Sequence, residues 1–387
     1  MYIQKGPYLQ NPQKDSIVIM WETDVISSSE VRVYDACRPH VPTKQYSIIG
    51  EPIIYQGETA ALHKVNISGL LPGHDYYYEV ISVADGETIS STKFPFRTAP
   101  NEDTAISFAL TAENGGSGGQ DGPYMVPLIE LIKREHPDFI MSVGDILNNG
   151  LRPLDWDTCL FGPFKNVLST TPFYPCVSNH EIAKDAVLPL TGVNHYGLYE
   201  KYFSFPGYYS FDYGCAHFTV LDSPAFTKAI EHSESDSYIP ELLDDLKNSE
   251  QYRFLEEDLA SSKAKWKFVV FHYPVYCSSW YDVRELQVLT PLFEKYDVDI
   301  VFNSHAILYE RSHPIKNNQL NKNGIRYILV GGYNGFEGWF WPKSNGFSAK
   351  MCSRPCYVRV SLTPFTLELQ AIDYEGKLFD SLSLEKT

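Results

Sequence analysis

A chain of 387 residues with 43% hydrophobic and 21% charged side chains is long enough for two separately cored domains and has an ordinary globular composition. Its net charge of −16, with no dense run of Lys and Arg, argues against a nucleic-acid partner, and it has no stretch of about 18 apolar residues to enter a membrane as a helix. Aromatic residues reach 14%, which favours pleated structure, where rings pack well.

Residues 1–98 read as short strands separated by turns. SIVIMWET (16–23), EVRVYD (30–35), HKVNISG (63–69) and YYYEVIS (76–82) favour strand, with turn formers at Asn11-Pro12, Pro72-Gly73 and Asp85-Gly86. That spacing suits a small β-sandwich. LLPGHDYYYEV resembles the turn of fibronectin type III domains, which makes Tyr76 the expected tyrosine corner, stabilising and not catalytic. Asn66-Ile67-Ser68 has the form of a glycosylation sequon but lies in a strand-like run. The opening MYIQKGPYLQNPQKDS holds no apolar leader, so the chain reads as cytoplasmic, or as secreted where a leader has been trimmed.

FRTAPNEDT (96–104) reads as a short polar linker. Over 104–387 strands then alternate with helices, predicting an α/β domain of two packed mixed sheets flanked by helices. Strand-like runs are ISFALTA, DFIMSVGD, FYPCVSN, HFTVLD, WKFVVFHYP, DIVFNSH and RYILVGG; helix-like runs cover 124–136, 251–263 and 283–296. The final CYVRVSLTPFTLELQAIDYEG alternates like two strands joined at Thr363-Pro364.

In α/β sheets, ligands gather outside the carboxyl ends of strands, so polar residues directly after apolar strands are the first candidates for chemistry. FIMSVGD ends in Asp145, FYPCVSNHE in Asn179, His180 and Glu181, KFVVFH in His272, and DIVFNSH in His305. Oxygen and nitrogen donors from separate strand ends are what a divalent metal on a rigid scaffold requires, and imidazole with carboxylate suits Zn, Fe or Mn.

The ordered set of GD, NHE, an apolar strand ending in H-x-P, and SHAILYER resembles the calcineurin-like metallophosphoesterase superfamily, close to the purple acid phosphatases. KGPYLQNP, YYSFDYGCAHFTVLDS, QYRFLEEDLA and GIRYILVGG are similar to family phrases as well, so the resemblance runs over nearly the whole chain. It implies hydrolysis of a small phosphorylated substrate with two metals about 3.5–4 Å apart. Carried over motif by motif, it implies Asp145, Asn179, His272 and His305 as ligands of the second metal, with Asp145 bridging. It also implies His180 as the residue that contacts phosphate and protonates the leaving group.

The first-metal pattern departs from that family. TAENG stands where the family has Asp after the first strand, leaving Glu113 as the nearest ligand, with Asn114 or Asn148 as further candidates. Ile307 stands in place of the second His of G-H-x-H, and Asn148 in place of the tyrosine of the purple enzymes. Ser178 and Ser304 replace two glycines and are expected to crowd tight turns. The sequence thus implies one strongly bound divalent or trivalent ion and a hydrolase of reduced activity. The alternative is a dead enzyme kept as a ligand- or protein-binding module.

Other polar residues read as structural or stay open. The seven cysteines read as reduced, though Cys352 and Cys356 could pair or bind metal. His217 reads as structural. Glu310 and Arg311 read as ion-paired beside the site, with Arg311 also able to reach a phosphate. His195 lines the cleft or sits in a surface loop, and Trp339 and Trp341 cover the site or pack on the first domain.

Overall fold

A computed structural model describes residues 1–49, 51–55, 58–115, 124–182, 196–227, 246–279, 283–333 and 346–386. The N-terminal strands form the sandwich. One sheet orders Ile3–Gln10, Ser16–Thr23, Glu58–Ser68 and Glu51–Tyr55; the other orders Lys44–Ile49, Ser28–Asp35, Asp75–Ala84 and Glu87–Ser90, with Phe94–Arg97 also on Asp75–Ala84. Alternating burial along Asp75–Ala84 turns Tyr76, Tyr78 and Val80 inward against Trp21, Val31 and Ile67. The Tyr76 hydroxyl accepts the Leu71 N–H at 3.0 Å, the tyrosine-corner bond that the LPGHDY turn predicts.

Ser16–Thr23 does not alternate because both of its faces are covered. Ile17, Ile19 and Trp21 fill the sandwich, while Tyr8, Val18, Met20 and Leu62 join the core of the second domain. Polar bonds fix the docking: the Tyr8 hydroxyl donates to Tyr202 O at 2.9 Å, Gln10 Nε2 donates to the same carbonyl at 2.7 Å, and Tyr78 donates to Ser169 O at 2.8 Å.

The second domain packs a six-stranded sheet on a seven-stranded one. In the first, Ile106–Thr111, Phe139–Ser142 and Phe173–Pro175 run parallel; in the second, Ala216–Val220, Trp266–Val270, Ile300–Asn303 and Arg326–Val330 do. Rings close the gap between sheets: Phe108 lies 5.1 Å from Phe139 in its own sheet, and 5.2 and 5.9 Å from Phe218 and Phe268 of the other. Helices Met125–Glu135 and Glu250–Ser261 form where the apolar periodicity predicts them, the second capped by the Ser249 hydroxyl on Tyr252 N–H.

One expectation needs correction. The run 283–296 is not one helix but a 3-10 segment, Arg284–Leu289, followed by the α-helix Thr290–Lys295. Pro291 has no N–H to extend an α-helix from the preceding turn, so the chain restarts there. The stretch 356–376 forms the two expected strands, Cys356–Leu362 and Thr366–Asp373, and Leu378–Glu385, which the sequence reading did not assign, adds an edge to the six-stranded sheet. All seven cysteines are free. Among the described residues, no helix is long and apolar enough to cross a membrane.

Two buried histidines make stability pH-dependent in opposite senses. His63 stacks on Trp21 at 4.6 Å and is bonded to the hydroxyls of Thr23 and Ser29 at 2.9 and 3.0 Å; burial lowers it to about 4. His217 stands 2.8 Å from Asp212 and 2.9 Å from Asp258; burial opposes its charge, but the two carboxylates outweigh that and raise it to about 9. Between pH 6.5 and about 4, the unfolded chain binds a proton that folded His63 refuses, so stability falls as pH falls. Between pH 6.5 and about 9, folded His217 keeps a proton that the unfolded chain loses, so stability falls as pH rises. Urea unfolding across this range should show both losses, with His63→Gln flattening only the acid limb and His217→Gln only the alkaline one. Parallel curves for all three proteins would refute the assignment.

Candidate metal centre

The parallel strands of both sheets end along one edge, and their next residues meet there. After Phe139–Ser142, Gly144 and Asp145 take positive φ of 95° and 53°. A Cβ on Gly144 would lie 2.6 Å from His272 Nδ1 and 2.8 Å from Ser178 Cβ, so only glycine fits. Ser178, expected to crowd this turn, instead holds it. Its hydroxyl accepts the N–H groups of Asp145 at 3.0 Å and His180 at 3.1 Å, and donates to Asp145 Oδ1.

Glu181 is a structural member of the site to which the sequence reading gave no role. Its buried carboxylate accepts the N–H groups of Ser178 at 2.9 Å, Asp145 at 3.2 Å and Ile146 at 2.7 Å, tying the second strand end to the third. The signal was present. Ser178-Asn179-His180-Glu181 has the S-x-x-E form of a capping box, used here on a turn instead of a long helix.

His272 is fully buried, and its Nδ1–H donates to Val143 O at 2.8 Å, which leaves Nε2 as the nitrogen with a free lone pair. That nitrogen stands 3.3 Å from Asp145 Oδ1 and 3.2 Å from His305 Nδ1, and one ligand atom from each of the three residues falls within 4.8 Å of the others. Donors held about 2.0–2.2 Å from a tetrahedral ion lie about 3.3–3.6 Å from one another, so this spacing fits a metal. Burial pushes the Asp145 carboxyl up, but His272, His180 and His305 together outweigh it and hold it well below the usual carboxylate range. Asn179 Oδ1 is buried with no hydrogen-bond partner, the state of an oxygen that lacks its ligand. His180 donates Nδ1–H to Asn148 O at 2.8 Å; its Nε2 lies 3.9 Å from Asp145 Oδ2 on a ring 38% exposed.

Glu113 is near this group but outside it. Its buried Oε1 accepts the Ser304 hydroxyl at 2.8 Å and the His305 N–H at 2.6 Å, joining the first strand end to the last. Burial, then the neighbouring Asp145 charge, raise it well above the ordinary carboxylate range. Ser304 therefore does not merely crowd its turn: its hydroxyl meets a carboxylate long enough to reach it. Ile307, at φ 52°, brings no donor to this side. Arg311 is not available to a phosphate, because Asp380 holds its Nε and an Nη at 2.7 and 2.9 Å. Glu310 takes the backbone N–H and the hydroxyl of Ser278 rather than a cation. His195, Trp339 and Trp341 lie outside the described residues.

The Glu113–Ser304 pair is open to a double-mutant cycle. Glu113→Ala should cost roughly 1–3 kcal/mol by stranding the Ser304 hydroxyl and the His305 N–H. Adding Ser304→Ala should then cost much less than it does in the wild-type background, a coupling of about 1 kcal/mol or more by chemical denaturation. Additive losses would mean the two side chains do not interact.

Residues 123–308 match the family model for the calcineurin-like phosphoesterase. Purple acid phosphatase 21 of Arabidopsis thaliana is 26% identical over 345 residues, covering 84% of this chain and 70% of that protein. Probable inactive purple acid phosphatase 27 of the same plant is 26% identical over 320 residues, with 70% of this chain matched to 49% of its length. The structure of purple acid phosphatase PPD1 from yellow lupin (Lupinus luteus) seeds aligns with 98% of this chain and 74% of its own, at a TM-score of 0.77 and 20% identity, a likeness of fold. With this fold and these strand-end residues in their order, the chain carries a calcineurin-like phosphoesterase domain over residues 123–308 and resembles the purple acid phosphatases.

Proposed function

We propose that this chain hydrolyses a phosphate ester of a small substrate with one tightly bound metal ion, at reduced activity. The observation that carries the reading is the meeting of His272 Nε2, His305 Nδ1 and Asp145 Oδ1, beside the unpartnered oxygen of Asn179. These four residues would hold the ion, and imidazole, carboxylate and amide together suit Zn, Mn or Fe. Such an ion supplies Lewis acidity toward a phosphoryl oxygen and lowers the pKa of water.

The chain's own groups do the rest. The Val143 carbonyl fixes which His272 nitrogen carries the proton, and so which one is free to ligate. The Asn148 carbonyl holds the Nδ1–H of His180, and when the ring is an imidazolium its half-exposed Nε2–H delivers a proton to the leaving oxygen. Glu181 and Ser178 keep the Asp145 backbone and carboxylate in register with the two rings. A first ion of the zinc or iron type is poorly served, since Ile307 offers no imidazole and Asn148 no phenolate. Uncatalysed monoester hydrolysis is so slow that enzymes gain up to about 10²¹-fold, so a loss of roughly 10⁴ would leave measurable turnover.

A second reading has its own support. The engaged Oε1 of Glu113 and the side chain of Ile307 favour a pseudoenzyme that binds a ligand or a protein through the same cleft. One experiment separates the two. The purified chain should carry at most one tight ion and hydrolyse an aryl phosphate slowly; His272→Ala should lose both ion and activity, and His180→Ala activity alone. Turnover that survives both substitutions comes from elsewhere, and the binding-module reading then stands.

A further inference from the structure

The parallel strands Trp266–Val270 and Ile300–Asn303 stay in register as far as Val270 beside Phe302, and one more bond follows, from Phe271 N–H to Phe302 O at 3.1 Å. There the chain leaves the ladder to present His272. Phe271, His272 and Tyr273 are all buried, so their carbonyls need donors from outside a regular strand pair. Residues 303 and 304 supply them. Asn303 Nδ2 donates to Phe271 O at 2.8 Å and to Tyr273 O at 3.2 Å, and Ser304 N–H donates to His272 O at 2.8 Å.

The amide of Asn303 is fully buried and has one orientation here, because both groups around its nitrogen are carbonyls, which accept and never donate. Its own Oδ1 meets no hydrogen-bond partner. A buried oxygen left unanswered costs stability, so space-filling alone would favour an apolar side chain at this position. What Asn brings is two donors on one atom, placed to hold the carbonyls on either side of a histidine. That histidine points Nδ1–H at Val143 O and stands with Nε2 3.2 Å from His305 Nδ1. His305 follows Asn303 by two residues, and Glu113 holds its N–H. The backbone segments that carry the two rings are thus fixed to each other through Asn303 and Ser304.

We propose that Asn303 is a positioning residue: itself outside the ligand set, it fixes His272 against His305 so that two imidazoles from separate strand ends can share one ion. Partners that orient metal ligands usually bond the ligand's ring, and Val143 O does that here. Asn303 acts one step further back, on the main chain to either side of the ring, and decides whether Nδ1–H can reach Val143 at all. The proposal rests on the preceding reading for the ion, but not for the placement of the ring.

Asn303→Ala tests it against a control. Gln251 is a second buried amide, whose Oε1 accepts the Asp222 N–H at 2.7 Å and whose Nε2 donates to Asp222 O at 3.1 Å, bracing a different strand end. Full-length wild type, Asn303→Ala and Gln251→Ala are titrated with zinc against a chelator, and X-ray absorption at the zinc edge counts the imidazoles. Nitrogen-15 NMR of the metal-free proteins at mildly alkaline pH reads the His272 tautomer. Asn303→Ala should bind zinc about tenfold or more weakly, with fewer than two imidazoles, and its His272 should change from the single Nδ1–H form to a mixture. Gln251→Ala should lose stability yet keep the zinc affinity, both imidazoles and the tautomer of the wild type. Zinc affinity and tautomer unchanged in Asn303→Ala, or lost equally in Gln251→Ala, would overturn the proposal. Should Asn303→Ala fail to fold, Asn303→Leu, close to Asn in volume, carries the same expectation. Failure of both to fold would also overturn it, since the amide would then hold the fold and not the ring. A wild type that takes no zinc, with the tautomer still dependent on Asn303, would instead overturn the hydrolase centre and leave the positioning role standing.

Discussion

Gly144 approaches the His272 ring so closely that a Cβ there would sit 2.6 Å from Nδ1, and the centre is arranged around that contact. Because no side chain intervenes, Nδ1–H reaches the Val143 carbonyl and Nε2 is presented to Asp145 and His305. The positive φ at Gly144 and Asp145 bends the chain enough for the next carboxylate to meet the ring it has just passed. Such a bend leaves amide groups unpaired, and Glu181 takes two of them, those of Asp145 and Ile146, along with the Ser178 N–H of the next strand end. The contact between the two sheets, made by Phe108, Phe218 and Phe268, is what brings the strand end of one sheet under the histidine of the other.

Substitutions that look like damage one residue at a time form a bonded unit in space. Glu113 and Ser304 are 191 residues apart, and each would be a poor choice without the other. Together they tie the first strand end to the last and satisfy the His305 N–H. Ser178 likewise places a hydroxyl where a glycine would leave the Asp145 amide to Glu181 alone. On the Glu113 side these residues form one bonded unit, while on the other side the donors of Asp145, His272 and His305 converge.

Much of the fold was legible because burial on both faces gives parallel strands continuous apolar runs, and those runs end in the residues proposed as metal ligands. FIMSVGD, KFVVFH and DIVFNSH read correctly for that reason, and the sandwich read correctly through alternation in Asp75–Ala84. Edge positions were harder. Leu378–Glu385 is exposed along one side, so its apolar signal is weak. The break at Pro291 was missed because the apolar spacing of a 3-10 turn and an α-helix differs little over six residues. In the site, the residues that converge, Asp145, His272 and His305, were legible as residue types at strand ends. The pairing of Glu113 with Ser304 was not, because a hydrogen bond across 191 positions leaves no local pattern.

The central claim is that three donors from three strand ends converge on one ion, and the most direct measurement is the anomalous scattering of crystals grown with zinc and collected on both sides of its absorption edge. The account predicts one strong peak about 2.0–2.2 Å from His272 Nε2, His305 Nδ1 and an Asp145 oxygen, within reach of Asn179 Oδ1. Two zinc peaks of equal height, or a single peak that leaves His272 unligated, would contradict it.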